Sequence, residues 1–118
     1  MAQILADRRD ISFLLHEVYE VGNLSRHEKY ADFAPKMMDM VVNEARNLAI
    51  KEIYPTWKVG DEMGCKYENG AVTTPDGYKD AWRLLVEGEW LAMDRAVEYG
   101  GQGMPETLAM AAREYLIA

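Results

Sequence analysis

The chain is short of most features that would commit it to a specialised class. It holds a single cysteine, Cys65, in 118 residues, so no internal disulfide can form and a reducing, cytoplasmic setting is the simplest expectation. It has no Lys or Arg block longer than Arg8-Arg9, and its net charge is −7. Nucleic acid is therefore not an expected partner, because neutralising phosphates needs a basic surface. Long apolar runs are missing as well; charge interrupts each within a few residues, which excludes a membrane-spanning helix. The start, Met1 to Arg9, lacks the basic stretch and apolar core of a secretory leader. The only histidines, His16 and His27, stand eleven residues apart. No acidic or cysteine partner recurs at ligand spacing around them, so no metal centre is expected and both read as packing or surface residues. There is no internal repeat and no low-complexity tract.

What is present is an ordinary globular composition, 49% hydrophobic and 28% charged, at a length that suits one domain with a modest core. Ile11, Leu14, Leu15, Val18 and Val21 form a helical stripe over about residues 8 to 21. Asp7 or Asp10 could cap its start, and Gly22-Asn23 would end it. A polar connection covers 23 to 31. A second, longer helix opens at Asp32 with Pro35 in its first turn. Its broad apolar face carries Met38, Val42, Ala45, Ala49 and Ile53, with Met37, Val41 and Leu48 beside them, and implies burial against at least two neighbours. Pro55 ends or kinks this helix, with Thr56 to Gly64 able to continue it for a turn or two. Asn69-Gly70 between strand-type residues signals a hairpin within 65 to 77. Thr74-Pro75 then opens a helix through Glu87 that buries Ala81, Trp82, Leu85 and Val86. A glycine-rich loop spans 98 to 104. Pro105 starts a last helix with Leu108, Ala112, Tyr115 and Leu116 on one face. The fold class expected is all-α: four to five helices in a bundle, with one short hairpin or irregular loop near 65–77.

Chemistry-bearing side chains are abundant but poorly organised. Glu17 and Glu20, Asp61 and Glu62, and Glu87 and Glu89 read as a solvated surface, since a general base must be positioned by burial and partners. Cys65, with only Lys66 beside it, reads as a structural thiol. The eight methionines are mostly core filler, with an adaptable acyl groove as the minority reading. Gly100-Gly101-Gln102-Gly103 lacks the strand and βαβ context of a dinucleotide loop and the Lys-Ser/Thr pair of a triphosphate loop. Its glycines instead let the backbone turn sharply and approach another surface closely.

The stretch Trp90 to Pro105, with Glu98-Tyr99-Gly100-Gly101-Gln102-Gly103-Met104-Pro105 at its end, resembles a segment of the acyl-CoA dehydrogenases. The family pattern there runs Gly-Trp, a short spacer, then Pro-Glu-Glu-Tyr-Gly-Gly-Gln-Gly-Leu-Pro. Pro75 to Trp82 matches the helix-opening stretch before the Gly-Trp element. Asp10 to Val18 looks like the N-terminal extension of a subgroup that includes 3-methylmercaptopropionyl-CoA dehydrogenase-like enzymes. The chain departs from the pattern at Ala96, where proline is usual, and at Val97, where an acid is frequent. Glu89 also displaces the glycine of Gly-Trp.

The resemblance implies an all-α N-terminal domain, a central β-domain and a C-terminal helical bundle, with FAD held mainly by the latter two. It implies α,β-dehydrogenation of an acyl-CoA thioester by a C-terminal glutamate and the flavin. No residue here matches that glutamate, so no catalytic, cofactor-binding or metal-binding residue is expected on this chain, and FAD belongs to the parent enzyme. The family's N-terminal domain helps wall the acyl pocket, which maps substrate contact onto Val97 and Tyr99; the alternative for both is packing of the loop on its own domain. The last residues, Ala111 to Ala118, read as an amphipathic helix with no cap after it. Residues 1–118 are accordingly expected to be one helical domain, the N-terminal part of a larger multidomain enzyme. Its expected partners are the acyl-CoA substrate, the remaining domains and further copies of itself. The competing expectation is a stand-alone helical interaction module, which would be compact and free of exposed apolar patches.

Overall fold

The computed structural model describes residues 4–118; Met1 to Gln3, the first residues of the stretch read against a leader, lie outside it. Five α-helices and one two-stranded hairpin follow one another: α1 (Arg8–Ser12), α2 (Pro35–Leu48), α3 (Tyr54–Met63), β1 (Lys66–Glu68), β2 (Ala71–Thr73), α4 (Tyr78–Glu87) and α5 (Glu106–Ile117). The all-α reading with one hairpin holds.

Asp7 caps α1, its carboxylate accepting from the N–H groups of Arg9 at 2.7 Å and Asp10 at 3.3 Å. The helix then widens into a π-turn over Phe13–Val18, closed by Tyr19 N–H donating to the Leu14 carbonyl. It ends at Glu20, which adopts a left-handed conformation (φ 44°), two residues before the Gly22-Asn23 stop read from the sequence. Short 3₁₀ turns over Val21–Arg26 and Glu28–Tyr30 make the connection.

The long helix starts with Ala34 as its cap and Pro35 at its first position, three residues after Asp32. Pro55 does not end it. A π-turn over Ala49–Ile53 lets Tyr54 N–H bond the Ala49 carbonyl five residues back. That shifts the ladder where Pro55 has no N–H to give, and α3 carries on. The result is one nearly continuous rod from 35 to 63, about 44 Å long at 1.5 Å per residue.

β1 and β2 pair antiparallel, Tyr67 opposite Val72, around Asn69 (φ 51°) and Gly70 (φ 78°). Both central residues have the positive φ of a type I′ turn, which Asn-Gly supplies at least cost. All six strand residues are exposed. α4 begins at Tyr78 behind Gly77, later than Thr74-Pro75, whose residues form the preceding turn through Tyr78 N–H to the Pro75 carbonyl.

The core lies where α5 crosses α2. Met38, Ala45, Leu108, Ala109 and Ala112 are completely buried there, with Ala49 and Tyr115. The alanines let the two backbones approach, while Leu108 and Tyr115 fill the space between them. Elsewhere the expected burial fails. Trp82 is 60% and Val86 49% exposed, because no second layer covers that face of α4 among the described residues.

The overall shape explains why. The chain is a slab of 55 × 42 × 16 Å, barely thicker than one helix with its side chains. Its radius of gyration is 16.6 Å, against about 13.5 Å for a compact domain of this length. It exposes 8337 Å² where a self-contained protein of this mass exposes roughly 6500 Å². Domains close their cores between at least two layers; much of this one is a single layer.

Candidate functional site

The stretch that carries the family resemblance folds into a closed loop. Met93 and Met104, 1% and 4% exposed, form its neck, joined by the Met104 N–H to Met93 carbonyl bond at 3.0 Å. One step further out, Gly103 N–H donates to the Arg95 carbonyl at 2.8 Å, and Gly101 N–H to the Ala96 carbonyl at 3.1 Å. The surface that the glycines approach is thus the loop's own other limb. A Cβ at Gly101 would sit 2.6 Å from Arg95 Cβ and closer still to the Arg95 carbonyl, so no larger residue fits without moving backbone. Such a compact loop with joined ends is an Ω-type loop, a form often used for binding.

At its tip Val97–Tyr99 make one 3₁₀ turn, which brings the two expected substrate-contact residues together. Val97 is 72% and Tyr99 82% exposed. Most of each side chain therefore stands clear of the domain's own surface. Neither residue borders the two apolar grooves beside α5.

Two side-chain links tie the loop to the rest of the chain. Arg113 of α5 donates to both carboxylate oxygens of Asp94, Nη2 to Oδ1 at 2.6 Å and Nη1 to Oδ2 at 3.2 Å. Both side chains are largely buried, and two parallel charge-assisted bonds make this the strongest polar contact of the site. The Arg113 hydrogen bonds hold the Asp94 carboxyl below its usual range, and the same contact raises the Arg113 guanidinium. The second link, Gln102 Nε2 to Glu89 Oε2 at 3.3 Å, is exposed. Sequence reasoning missed the fork: its partners are 19 residues apart and meet only because the loop returns to α5.

It also missed a pair between the first and second helices, His16 Nε2 to Asp39 Oδ1 at 2.7 Å. Among the described residues no three His, Cys, Asp or Glu side chains are grouped to hold a metal ion. No described helix is long and apolar enough to cross a membrane. Glu17, Glu20, Asp61, Glu62, Glu87 and Glu89 are exposed, as is the Cys65 thiol.

Two apolar grooves flank the end of α5. One, of about 620 Å³, lies among Ile53, Tyr54, Trp57, Tyr78, Trp82 and Leu116. The other, of about 530 Å³, is bounded by Leu14, Leu15, Tyr19, Met110, Ala111 and Arg113. Ile117, 79% exposed, stands between them and borders both. Contiguous apolar surface of this kind marks an interface or a ligand groove.

Beside this geometry stands a similarity to one acyl-CoA dehydrogenase. The chain is 28% identical over 106 residues, 90% of its length, to the 3-methylmercaptopropionyl-CoA dehydrogenase of Ruegeria pomeroyi. It spans 18% of that protein's length. The resemblance read from the sequence is borne out by this match. No family model matches the chain. The glycine loop does not fit the phosphates of a flavin dinucleotide: Gly101 and Gly103 spend their N–H groups on the Ala96 and Arg95 carbonyls, and no buried strand leads into a helix there.

Proposed function

We propose that the chain is the N-terminal helical domain, residues 1–118, of a larger flavin-dependent enzyme that α,β-dehydrogenates an acyl-CoA thioester. Its share of the work is to wall part of the acyl pocket through Val97 and Tyr99 and to present an assembly surface to the other domains and to further copies of the enzyme. FAD and the catalytic base belong to the parent protein, which works in the cytoplasm; the chain alone is inactive.

The observation that carries this reading is the similarity to an acyl-CoA dehydrogenase along 90% of the chain. Two structural features support the division of labour. The turn bearing Val97 and Tyr99 is held out from the body on a braced loop with both side chains exposed. Beside α5, the grooves leave Trp57 57% and Trp82 60% exposed, an arrangement that disfavours the stand-alone module, whose surface would be free of such patches.

The test is to recover the natural gene product with an antibody to these residues and supply acyl-CoA thioesters of graded chain length with an artificial electron acceptor. The proposal expects acyl-CoA-dependent reduction by a protein several-fold heavier than 13.5 kDa. A 13.5 kDa protein inert to every thioester would overturn it.

A further inference from the structure

The loop that carries Val97 and Tyr99 is stitched internally but sparsely attached. Every backbone bond of its tip is local: Tyr99 N–H to the Ala96 carbonyl, Gly100 N–H to that of Val97, Gly101 N–H to that of Ala96. The tip is therefore braced as one unit. Its neck, the Met93–Met104 pair, is anchored in the core, and beyond it side-chain contacts decide how the tip is held. The Asp94–Arg113 fork is the strongest of these. Arg113 sits on α5, whose Leu108, Ala109, Ala112 and Tyr115 are among the most deeply buried residues described, so the fork ties the loop to the core. A planar, bidentate contact fixes orientation as well as distance. The remaining link, Gln102 to Glu89, joins two exposed side chains at 3.3 Å and restrains little.

We propose that Asp94 and Arg113 are the positioning residues of the acyl wall: their fork sets the direction in which Val97 and Tyr99 face the substrate. This rests on reading the 97–99 turn as that wall. Neither residue touches the reacting atoms. Their loss should weaken substrate binding and leave the chemical step intact, since a wall that contacts the acyl chain equally in ground and transition states contributes uniform binding. Arg113 also borders the groove beside Met110.

The test compares the natural gene product with its Asp94→Asn, Arg113→Met and Asp94→Glu variants. Amide hydrogen exchange is followed over residues 95–103 and over α5, and steady-state kinetics are run with octanoyl-CoA as the probe. The proposal expects exchange over 95–103 to rise ten-fold or more in Asp94→Asn and Arg113→Met, with α5 unchanged. KM should rise several-fold at nearly constant kcat, and Asp94→Glu, which keeps the charge, should recover most of both. Unchanged exchange over 95–103 overturns the proposal. So does a parallel rise in α5, which would make the fork a general fold contact, and so does a fall in kcat alone. Val97→Ala and Tyr99→Ala test the underlying reading separately: if neither alters KM while Asp94→Asn still loosens the loop, the wall assignment fails and the mechanical role of the fork does not.

Discussion

Replacing Gly101 by alanine is the sharpest probe of why the glycine stretch exists. The new Cβ would sit 2.6 Å from Arg95 Cβ and nearer still to the Arg95 carbonyl, against about 3.4 Å for ordinary contact. Relieving that overlap needs the two limbs to part by about 1 Å, because backbone, unlike a side-chain tip, cannot swing aside. The bonds from Gly101 N–H to Ala96 at 3.1 Å and from Gly103 N–H to Arg95 at 2.8 Å then exceed hydrogen-bonding range. At about 1 kcal/mol each their loss costs about 2 kcal/mol, and residual overpacking adds about 1 more. Gly100→Ala is the control. That position has φ 82° but nothing within 4 Å, so only the left-handed penalty of about 1–2 kcal/mol applies. Urea unfolding should place Gly101→Ala about 1–2 kcal/mol below Gly100→Ala. If Gly101→Ala lies within 0.5 kcal/mol of the parent chain, on the order of experimental scatter, the close-approach account is refuted.

Three further outcomes follow from the same geometry. Tyr115 is buried with its hydroxyl unpartnered among the described residues, and burial raises its pKa; Tyr115→Phe should therefore be neutral or gain about 1 kcal/mol in urea unfolding, and a loss above about 1 kcal/mol would mean the hydroxyl has a partner. Ala96 stands at φ −60°, close to the value proline imposes, and its N–H bonds no carbonyl among the described residues; Ala96→Pro, the residue usual in the acyl-CoA dehydrogenase pattern, should raise stability by about 0.4–1 kcal/mol, and a loss on thermal unfolding would count against the loop geometry. Asp94 has a folded pKa below its unfolded value, so its contribution is full above about pH 4 and disappears as pH falls through the lowered folded value. Stability measured from pH 5 to pH 2 should fall more steeply in the parent chain than in Asp94→Asn, and parallel curves would show the fork is not formed.

Local chemistry was the legible part of the fold. Asn69-Gly70 announces its hairpin because few other residue pairs accept two positive φ angles in succession. The buried face of α5 could be read from the spacing of Leu108, Ala112 and Tyr115. Pro55 misled in part, since a π-turn upstream absorbs its missing N–H and lets the helix proceed. Trp82 and Val86 misled for another reason: periodicity identifies an apolar face but not whether anything covers it, and in a slab 16 Å thick nothing among the described residues does. At the site, the family pattern pointed to Val97 and Tyr99 where residue chemistry alone was silent. The Asp94–Arg113 fork and the His16–Asp39 pair had no linear signature, because each depends on where a connection returns to a distant helix.

The claim that this slab is one wall of a larger acyl-CoA enzyme is tested most directly by hydroxyl-radical footprinting of Trp57, Trp82 and Tyr99. The natural gene product would be labelled with and without octanoyl-CoA, beside the 118-residue chain alone. All three side chains are more than half exposed here, so the chain alone should label strongly at each. The account predicts Trp57 and Trp82 shielded in the natural protein whether or not the thioester is present, and Tyr99 shielded when it is added. Equal labelling of all three residues in every sample would contradict both the assembly surface and the substrate wall.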